Sequence, residues 1–273
     1  TMASGNLPLG AHGELYAFGG YSHQLGNGEG YRRYADDGRN WKQIYALGFL
    51  PEFRPIVTDY SMAGGWKGVA NGWNLGAGAS FGHNGFRYDL RNTLNASLGP
   101  SLVNPTAPGP DGIPGNSDDP GIPNQTSFFA GELHRDEFVA DLDGSRELEL
   151  GLPAPVNVAL GASWRRERWV VLPGELASYV DGGHLDQNGG DAPGGSQVFP
   201  GFSPADASDS RRENLGLYAD LESHLTPLLP ANAAARFEHY NDFGSLVTGK
   251  LAARFQPTPR VTFRAAGSTG FRA

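Results

Sequence analysis

Along most of this chain, apolar residues recur at every second position. In 211–222, Leu215, Leu217, Ala219 and Leu221 share one side of an extended backbone, and Asn214, Gly216, Tyr218, Asp220 and Glu222 share the other. In 246–256, Val247, Gly249, Leu251, Ala253 and Phe255 oppose Thr248, Lys250, Arg254 and Gln256. In 260–268, Val261, Phe263, Ala265 and Gly267 oppose Thr262, Arg264 and Ser268. A period of two sends successive side chains to opposite faces of a strand, so each segment predicts a sheet with one apolar and one wet face. Trp73, Leu75, Ala77, Ala79 and Phe81 begin another such strand, but its phase flips at "HNG", after which Phe86, Tyr88 and Leu90 are the apolar set. A β-bulge near Gly85 produces such a flip; a hairpin turn there is the competing reading.

The pattern predicts about nine strands: 12–24, 57–70, 72–93, 126–143, 156–172, 211–225, 229–241, 246–256 and 260–270. Their connections alternate in length. Residues 25–56, 94–125 and 173–210 are long, polar and rich in Gly, Pro or Asp, whereas the turns near 71, 145–155, 226–228 and 257–259 are short. Only "DFGS", 242–245, is short on the long-loop side. Long loops on one side and tight turns on the other are the habit of outer-membrane barrels. A closed barrel satisfies every backbone group without water, and each predicted strand reaches the ~9–11 residues needed to cross a bilayer. Trp164, Trp169, Tyr240, Phe243 and Phe271 fall near strand ends, where they are expected to form interfacial girdles. A soluble β-sandwich or propeller is the alternative, but three structureless loops of more than ~15 residues are out of place in a compact soluble domain.

Composition narrows the function classes. Gly is 40 of 273 residues and Pro 20, while aromatics at 11% argue against disorder. A net charge of -8 excludes the basic stripe of a nucleic-acid-binding surface, so no nucleic-acid partner is expected. The chain has no cysteine, which removes disulfides, thiol catalysis and Cys zinc sites. It contains no apolar run of ~18 residues, so no transmembrane helix is expected. The opening "TMASGNLPLG" is not a signal peptide and reads as a truncated lead-in over residues 1–11.

Several motifs suggest chemistry. "GASFG", 78–82, fits the hydrolase nucleophile elbow with Ser80 as nucleophile, which needs a strand-to-helix turn; the strand pattern continuing through "HNGFRYDL" argues against it. "GAGASFG", 76–82, misses the dinucleotide fingerprint by a misplaced third Gly and the lack of a crossover helix. Asp111, Asn116, Asp118 and Asp119 cluster in "PDGIPGNSDDP". They read as a solvated turn first and as a calcium-pinned loop second. The seven histidines follow no metal-ligating spacing, so neither metal nor cofactor is expected. Arg32, Arg33 and Arg39 on the first long loop suit an anionic ligand held by bidentate hydrogen bonds, with Trp41 and Tyr45 stacking on it; pairing with Asp36 and Asp37 is the structural alternative. Arg236, Glu238, Lys250, Arg254 and Arg264 fall on the polar faces of neighbouring strands. Facing lipid, Arg or Lys costs ~2–4 kcal/mol at the midplane, so these five are expected to form an inward charge ladder.

"SRRENLGLYADLE", "AARFEHYNDFGS", "TGKLAARFQP" and "FRAAGSTGFRA" resemble successive barrel strands of TonB-dependent outer-membrane receptors. The family's R-x-E-x-Y-x-D-F-G pattern lies at Arg236, Glu238, Tyr240, Asp242, Phe243 and Gly244, and its S-T-G-F-R-A at Ser268 to Ala273. "RNWKQIYALGFLPEF", "RYDLRNTLNASLGP" and "VNVALGASWRRERW" are similar to the family more loosely. The resemblance implies an all-β fold, a partial antiparallel transmembrane β-barrel drawn from one of about 22 strands, and an open curved sheet when isolated. Residues 12–273 are then an interior portion of the barrel, without the plug, the TonB box or the closing strand. The implied function is energy-dependent uptake of a scarce nutrient, first a ferric siderophore, then cobalamin or an oligosaccharide, across the outer membrane of a Gram-negative bacterium. The implied partners are outer-membrane lipid, the TonB complex acting through a plug outside this chain, and a small-molecule or metal-chelate ligand. The barrel itself is expected not to be an enzyme. A passive porin-like barrel and a soluble β-hydrolase acting through Ser80 are the alternatives.

Overall fold

The computed structural model describes residues 1–103 and 121–270; the Asp cluster at 111–119 and Phe271 lie outside them. The described chain forms β1 (Met2–Pro8), β2 (Glu14–Leu25), the two-residue β3 (Gly28–Glu29), β4 (Glu52–Ala70), β5 (Trp73–Arg91), β6 (Ser127–Leu148), β7 (Val156–Pro173), β8 (Ser208–Thr226), β9 (Leu229–Tyr240), β10 (Gly244–Thr258) and β11 (Val261–Ser268). They make one sheet in the order β1-β2-β4-β5-β6-β7-β8-β9-β10-β11, with β3 on the end of β4 and every neighbouring pair antiparallel. The all-β sheet expected from alternation is observed, and it is open, as the resemblance implied.

Local chemistry sets the meander. β4 and β5 are joined by Asn71 and Gly72, both at positive φ (50° and 76°), the backbone that a two-residue hairpin of matching twist demands and that Asn-Gly tolerates. The connections at this end are short, and those at the opposite end, 30–51, 92–126 and 174–207, are long. Residues 241–243, before Gly244, form the exception noted in the sequence.

Register assigns every side chain to one of two faces. Gly19, Met62, Phe81, Phe138 and Arg166 are successive cross-strand partners, and two residues along so are Ala17, Gly64, Ala79, Ala140 and Trp164. The same face carries Leu160, Leu215, Leu217, Leu221, Phe237, Leu251 and Phe255. Among the described residues no element packs upon it: Leu217 is 47% exposed and Leu251 69%. A sandwich would have buried them between layers. On β5 to β8 the apolar stretch covers only the part of each strand nearest the short turns, whereas on β9 and β10 it reaches Phe237 and Val247 near the other end. Beyond it the face becomes polar and paired, with His83 on Asp136 at 2.6 Å and Arg168 on Asp209 at 2.8 Å.

Three expectations need correction. The stretch 1–11 is not a bare lead-in, because residues 2–8 pair with β2 throughout. That strand is exposed on both faces, so it carries no alternation to read. The phase flip in β5 needs no bulge at Gly85, since pairing with β4 runs unbroken from Trp73 to Arg91. What changes is the environment: Phe86, Tyr88 and Leu90 turn to the other face and pack under the long loops. The bulge lies in β6, between the partners of Arg87 and Asp89, where Gly131 takes φ 113°. Finally, register puts Trp169 and Tyr240 on the polar face, so of the aromatic residues placed in a girdle Trp164 has the outward position. Tyr240 instead stacks on Phe243 at 4.2 Å.

The buried core sits outside the sheet's apolar stretch. One cluster joins Leu90, Leu98, Phe128, Ala130 and Ala177; a second joins Trp41, Phe49, Leu94 and Ala96. The first draws on the second and third long loops and on β4, β5 and β6, and the second on the first and second loops with Ala192 of the third packed against it.

Candidate functional site

The three loops are tied into a single cap by buried amide side chains that donate to backbone carbonyls. Asn95, fully buried, donates from Nδ2 to the carbonyls of Ala177 (2.9 Å) and Val180 (2.8 Å), and its Oδ1 accepts from Ser97 Oγ at 2.7 Å. Asn124 Nδ2 donates to Asn95 O at 2.8 Å and Gly99 O at 2.9 Å. Gln187 Nε2 reaches the first loop at Ala35 O (2.8 Å) and Asp37 O (2.7 Å). Thr93 Oγ1 donates to Gln197 O at 2.9 Å. Unpaired, buried carbonyls of this kind cost free energy, so loops without regular structure are stable here only because these donors meet them.

The loop residues singled out from sequence divide in two. Arg33 is 8% exposed and spends its guanidinium on Gln197 Oε1 (3.2 Å) and Tyr31 O (2.8 Å); burial, then the nearby Arg39 charge, pulls its pKa down from the ordinary arginine value. Trp41 is buried, with Nε1 donating to Ala96 O at 2.8 Å. Tyr45 lies against Phe49 at 4.7 Å between ring centres, and burial pushes its hydroxyl up to about 12. These three hold the cap together. Arg32 and Arg39 are exposed. Arg39 grips Asp37 through Nε (3.0 Å) and Nη2 (2.9 Å), and this hydrogen bonding holds the Asp37 carboxyl below the usual carboxylate range.

Below the cap an aromatic cluster covers the upper part of the polar face. Tyr88 stacks on Phe199 at 4.8 Å, and Phe202 meets both edge-on at 5.5 and 5.4 Å. Sequence reasoning listed Tyr88 as a strand residue and missed Phe199 and Phe202, which lie in a loop without periodicity.

Lower on the polar face, register aligns the five ladder residues. Arg236 stands opposite Tyr218 and Thr248, Glu238 opposite Gly216 and Leu246, Lys250 opposite Ala234 and Ser268, and Arg254 opposite Arg264. Arg236 pairs with Glu238 at 3.0 Å. The other half of the same face is acidic, with Asp141 and Asp143 on β6 and Asp220 and Glu222 on β8, a partition that single-strand reading did not resolve. Large polar side chains lie flat across glycines of adjacent strands. A Cβ at Gly161 would collide with the Tyr218 ring, and one at Gly216 would stand 2.6 Å from Arg236 Nη2. Ser80 sits mid-strand on this face, opposite Ala63 and Val139, and His83 points to the other face. The strand-to-helix turn of a nucleophile elbow is therefore not formed at Ser80.

An open meander with alternating loop lengths, an uncovered apolar face and a charged inner face has a close match among family models. The model described as "TonB dependent receptor-like, beta-barrel" matches residues 4–273. The chain belongs to this family. Among solved structures, this barrel chain is similar to the siderophore receptor PirA from Acinetobacter baumannii, with 13% identity and TM-score 0.53 over 98% of this chain and 32% of that one. It is also similar to a point variant of the ferric enterobactin receptor PfeA from Pseudomonas aeruginosa, with 17% identity, TM-score 0.53 and the same coverages. The TonB-receptor chain thus spans about a third of the length of these solved receptors, and at such identities the likeness is one of fold. No curated protein matches it.

Proposed function

We propose that this chain is part of the barrel wall of an outer-membrane receptor that takes up a ferric siderophore at the expense of energy delivered by the TonB complex. Family membership supports the receptor class. The observation that carries the ligand class is the cap: three long loops from one end of the sheet lock into one body over an aromatic floor of Tyr88, Phe199 and Phe202. A planar or aromatic chelate can stack on such a floor. In this reading Arg32 and Arg39 are the exposed cations that meet an anionic ligand, and Arg33, Trp41 and Tyr45 act by shaping the loops. The apolar face meets lipid. Arg236, Glu238, Lys250, Arg254 and Arg264 line the water-filled interior, where TonB acts through a plug lying outside this chain.

The test is uptake of radiolabelled iron–siderophore by iron-starved cells carrying or lacking the full-length receptor. Deletion is expected to abolish uptake of at least one siderophore, and complementation to restore it only when TonB is present. Uptake that persists without TonB would instead fit the porin-like alternative. Arg32→Ala with Arg39→Ala is expected to weaken ligand binding about a hundredfold or more, each of the two lost charge-assisted hydrogen bonds contributing about 1.5–3 kcal/mol.

A further inference from the structure

We propose that residues 183–194 of the third long loop form a hinged lid, whose opening uncovers one side of the Trp41 indole for a planar aromatic group of the ligand. The segment has Gly-Gly at both ends, 182–183 and 194–195, and the second glycine of each pair holds positive φ, 76° and 82°. Glycines at the ends of a loop segment absorb the dihedral changes that a hinge needs. Below them the base is fixed. Gly195 N donates to Val180 O at 3.1 Å, Ser196 N to Ser178 O at 2.9 Å, and Gly182 N to Ser97 Oγ at 2.9 Å.

Between the hinges the lid is a body of its own. Leu185 and Asp191 form a β-bridge, and Asp186 N donates to Gly190 O at 2.7 Å. Asp186 Oδ1 accepts from the backbone N–H groups of Asn188 at 2.7 Å and Gly190 at 2.9 Å. These bonds stay within the segment, so it swings without unravelling. It is held shut mainly by polar contacts. Gln187 Nε2 donates to Ala35 O and Asp37 O, and its Oε1 accepts from Lys42 N at 3.3 Å. Asn188 Nδ2 donates to Asp36 O at 3.0 Å, and His184 N to Ser97 O at 3.0 Å. The apolar hold is Ala192 against the Trp41 cluster, with the His184 ring edge-on to Trp41 at 6.5 Å. Water replaces polar contacts at small net cost, and a segment with few buried apolar contacts is among the first to open. Trp41 stays in place when the lid moves, because its Nε1 bonds Ala96 O of the second loop. Arg39 grips the carboxylate of Asp37, whose carbonyl is one of the points holding the lid. An anionic group drawn to Arg39 therefore arrives beside the closure, with its aromatic part free to stack on Trp41. The ligand class rests on the uptake reading; the hinge motion does not.

This span has no cysteine, so an introduced pair meets no competing thiol within it. A Cβ built on Gly38 stands 3.6 Å from Asp186 Cβ, within the span of a disulfide. In the full-length receptor carrying Gly38→Cys and Asp186→Cys, oxidation locks the lid shut and reduction frees it. The same molecule is compared in two states, so a folding defect is common to both. Oxidation is expected to cut uptake of radiolabelled ferric siderophore at least about tenfold, and reduction to restore it. Equal uptake by the two forms would overturn the gate. Without any ligand, Ala192→Cys reports opening through its rate of maleimide labelling. Adding Gln187→Ala removes three hydrogen bonds and is expected to raise that rate about tenfold. Heat-modifiable gel migration reports folding, and an unchanged rate in the folded variant would overturn the lid itself. A receptor that takes up no siderophore in either state, yet shows the labelling increase, would keep the lid and refute the uptake reading.

Discussion

Asn95 shows how a single side chain governs the cap. Its amide meets two carbonyls on the third long loop, its own carbonyl oxygen accepts from Ser97, and its backbone is held by Asn124. Replacing it with Ala leaves the Ala177 carbonyl without this donor, at about 1–3 kcal/mol for a stranded group, while the Val180 carbonyl keeps the Gly195 N–H at 3.1 Å. Asn95→Ala is therefore expected to loosen 174–207 against 92–103 without unfolding the sheet. Limited proteolysis should show new cleavage within the third loop, and hydrogen exchange should show faster exchange at Gly182 and His184, which bond to Ser97. Intact protection in the variant would show that the apolar clusters alone hold the cap. This role was not legible in "RNTLNASLGP", because its partners lie more than eighty residues away and no local period marks them.

Along single strands, the two faces have different solvents, and β7 offers adjacent residues that report on each. Leu160 looks out from the apolar face between Gly144 and Ala219, while Ala159 looks inward beside Asp220 and Ser145. Leu160→Arg is expected to destabilise the barrel in phospholipid by ~2–4 kcal/mol. Ala159→Arg, at the same depth but beside an aspartate, is expected to change stability by no more than about 0.5 kcal/mol. Denaturant titration of the full-length barrel in vesicles distinguishes them, and equal effects would contradict the face assignment. Alternation made these faces readable because a two-residue period records solvent directly. It misled where the solvent itself changed along a strand. Phe86, Tyr88 and Leu90 are apolar because loops cover them, and a reader assuming one environment per strand must invent a bulge to explain them. β1 was silent for the opposite reason, having no buried face to imprint a period.

At the scale of the whole molecule, β1 and β11 present unpaired edges, and the chain covers about a third of the solved receptors it resembles. Exposed strand edges recruit other strands. Produced alone in detergent, this span is expected to sediment as mixed multimers, whereas the full-length receptor should give a single species; a monodisperse monomer of the isolated span would show that its edges are self-protecting. Connection lengths alone revealed the sheet's polarity, long at one end and tight at the other. They did not reveal that the long segments fuse into one body, nor the division of the inner wall into acidic β6–β8 and basic β9–β11, since both depend on which strands become neighbours.

Four of the ties between the loops share one property: Asn95, Trp41, Thr93 and Gln187 all donate to main-chain oxygens. Every residue type offers that oxygen, so the recipients' identities are chemically anonymous. Drift in the surface-exposed residues of these loops can therefore alter what a visiting molecule encounters while a handful of fixed donors preserves the scaffold, allowing selectivity to be rewritten without rebuilding the architecture.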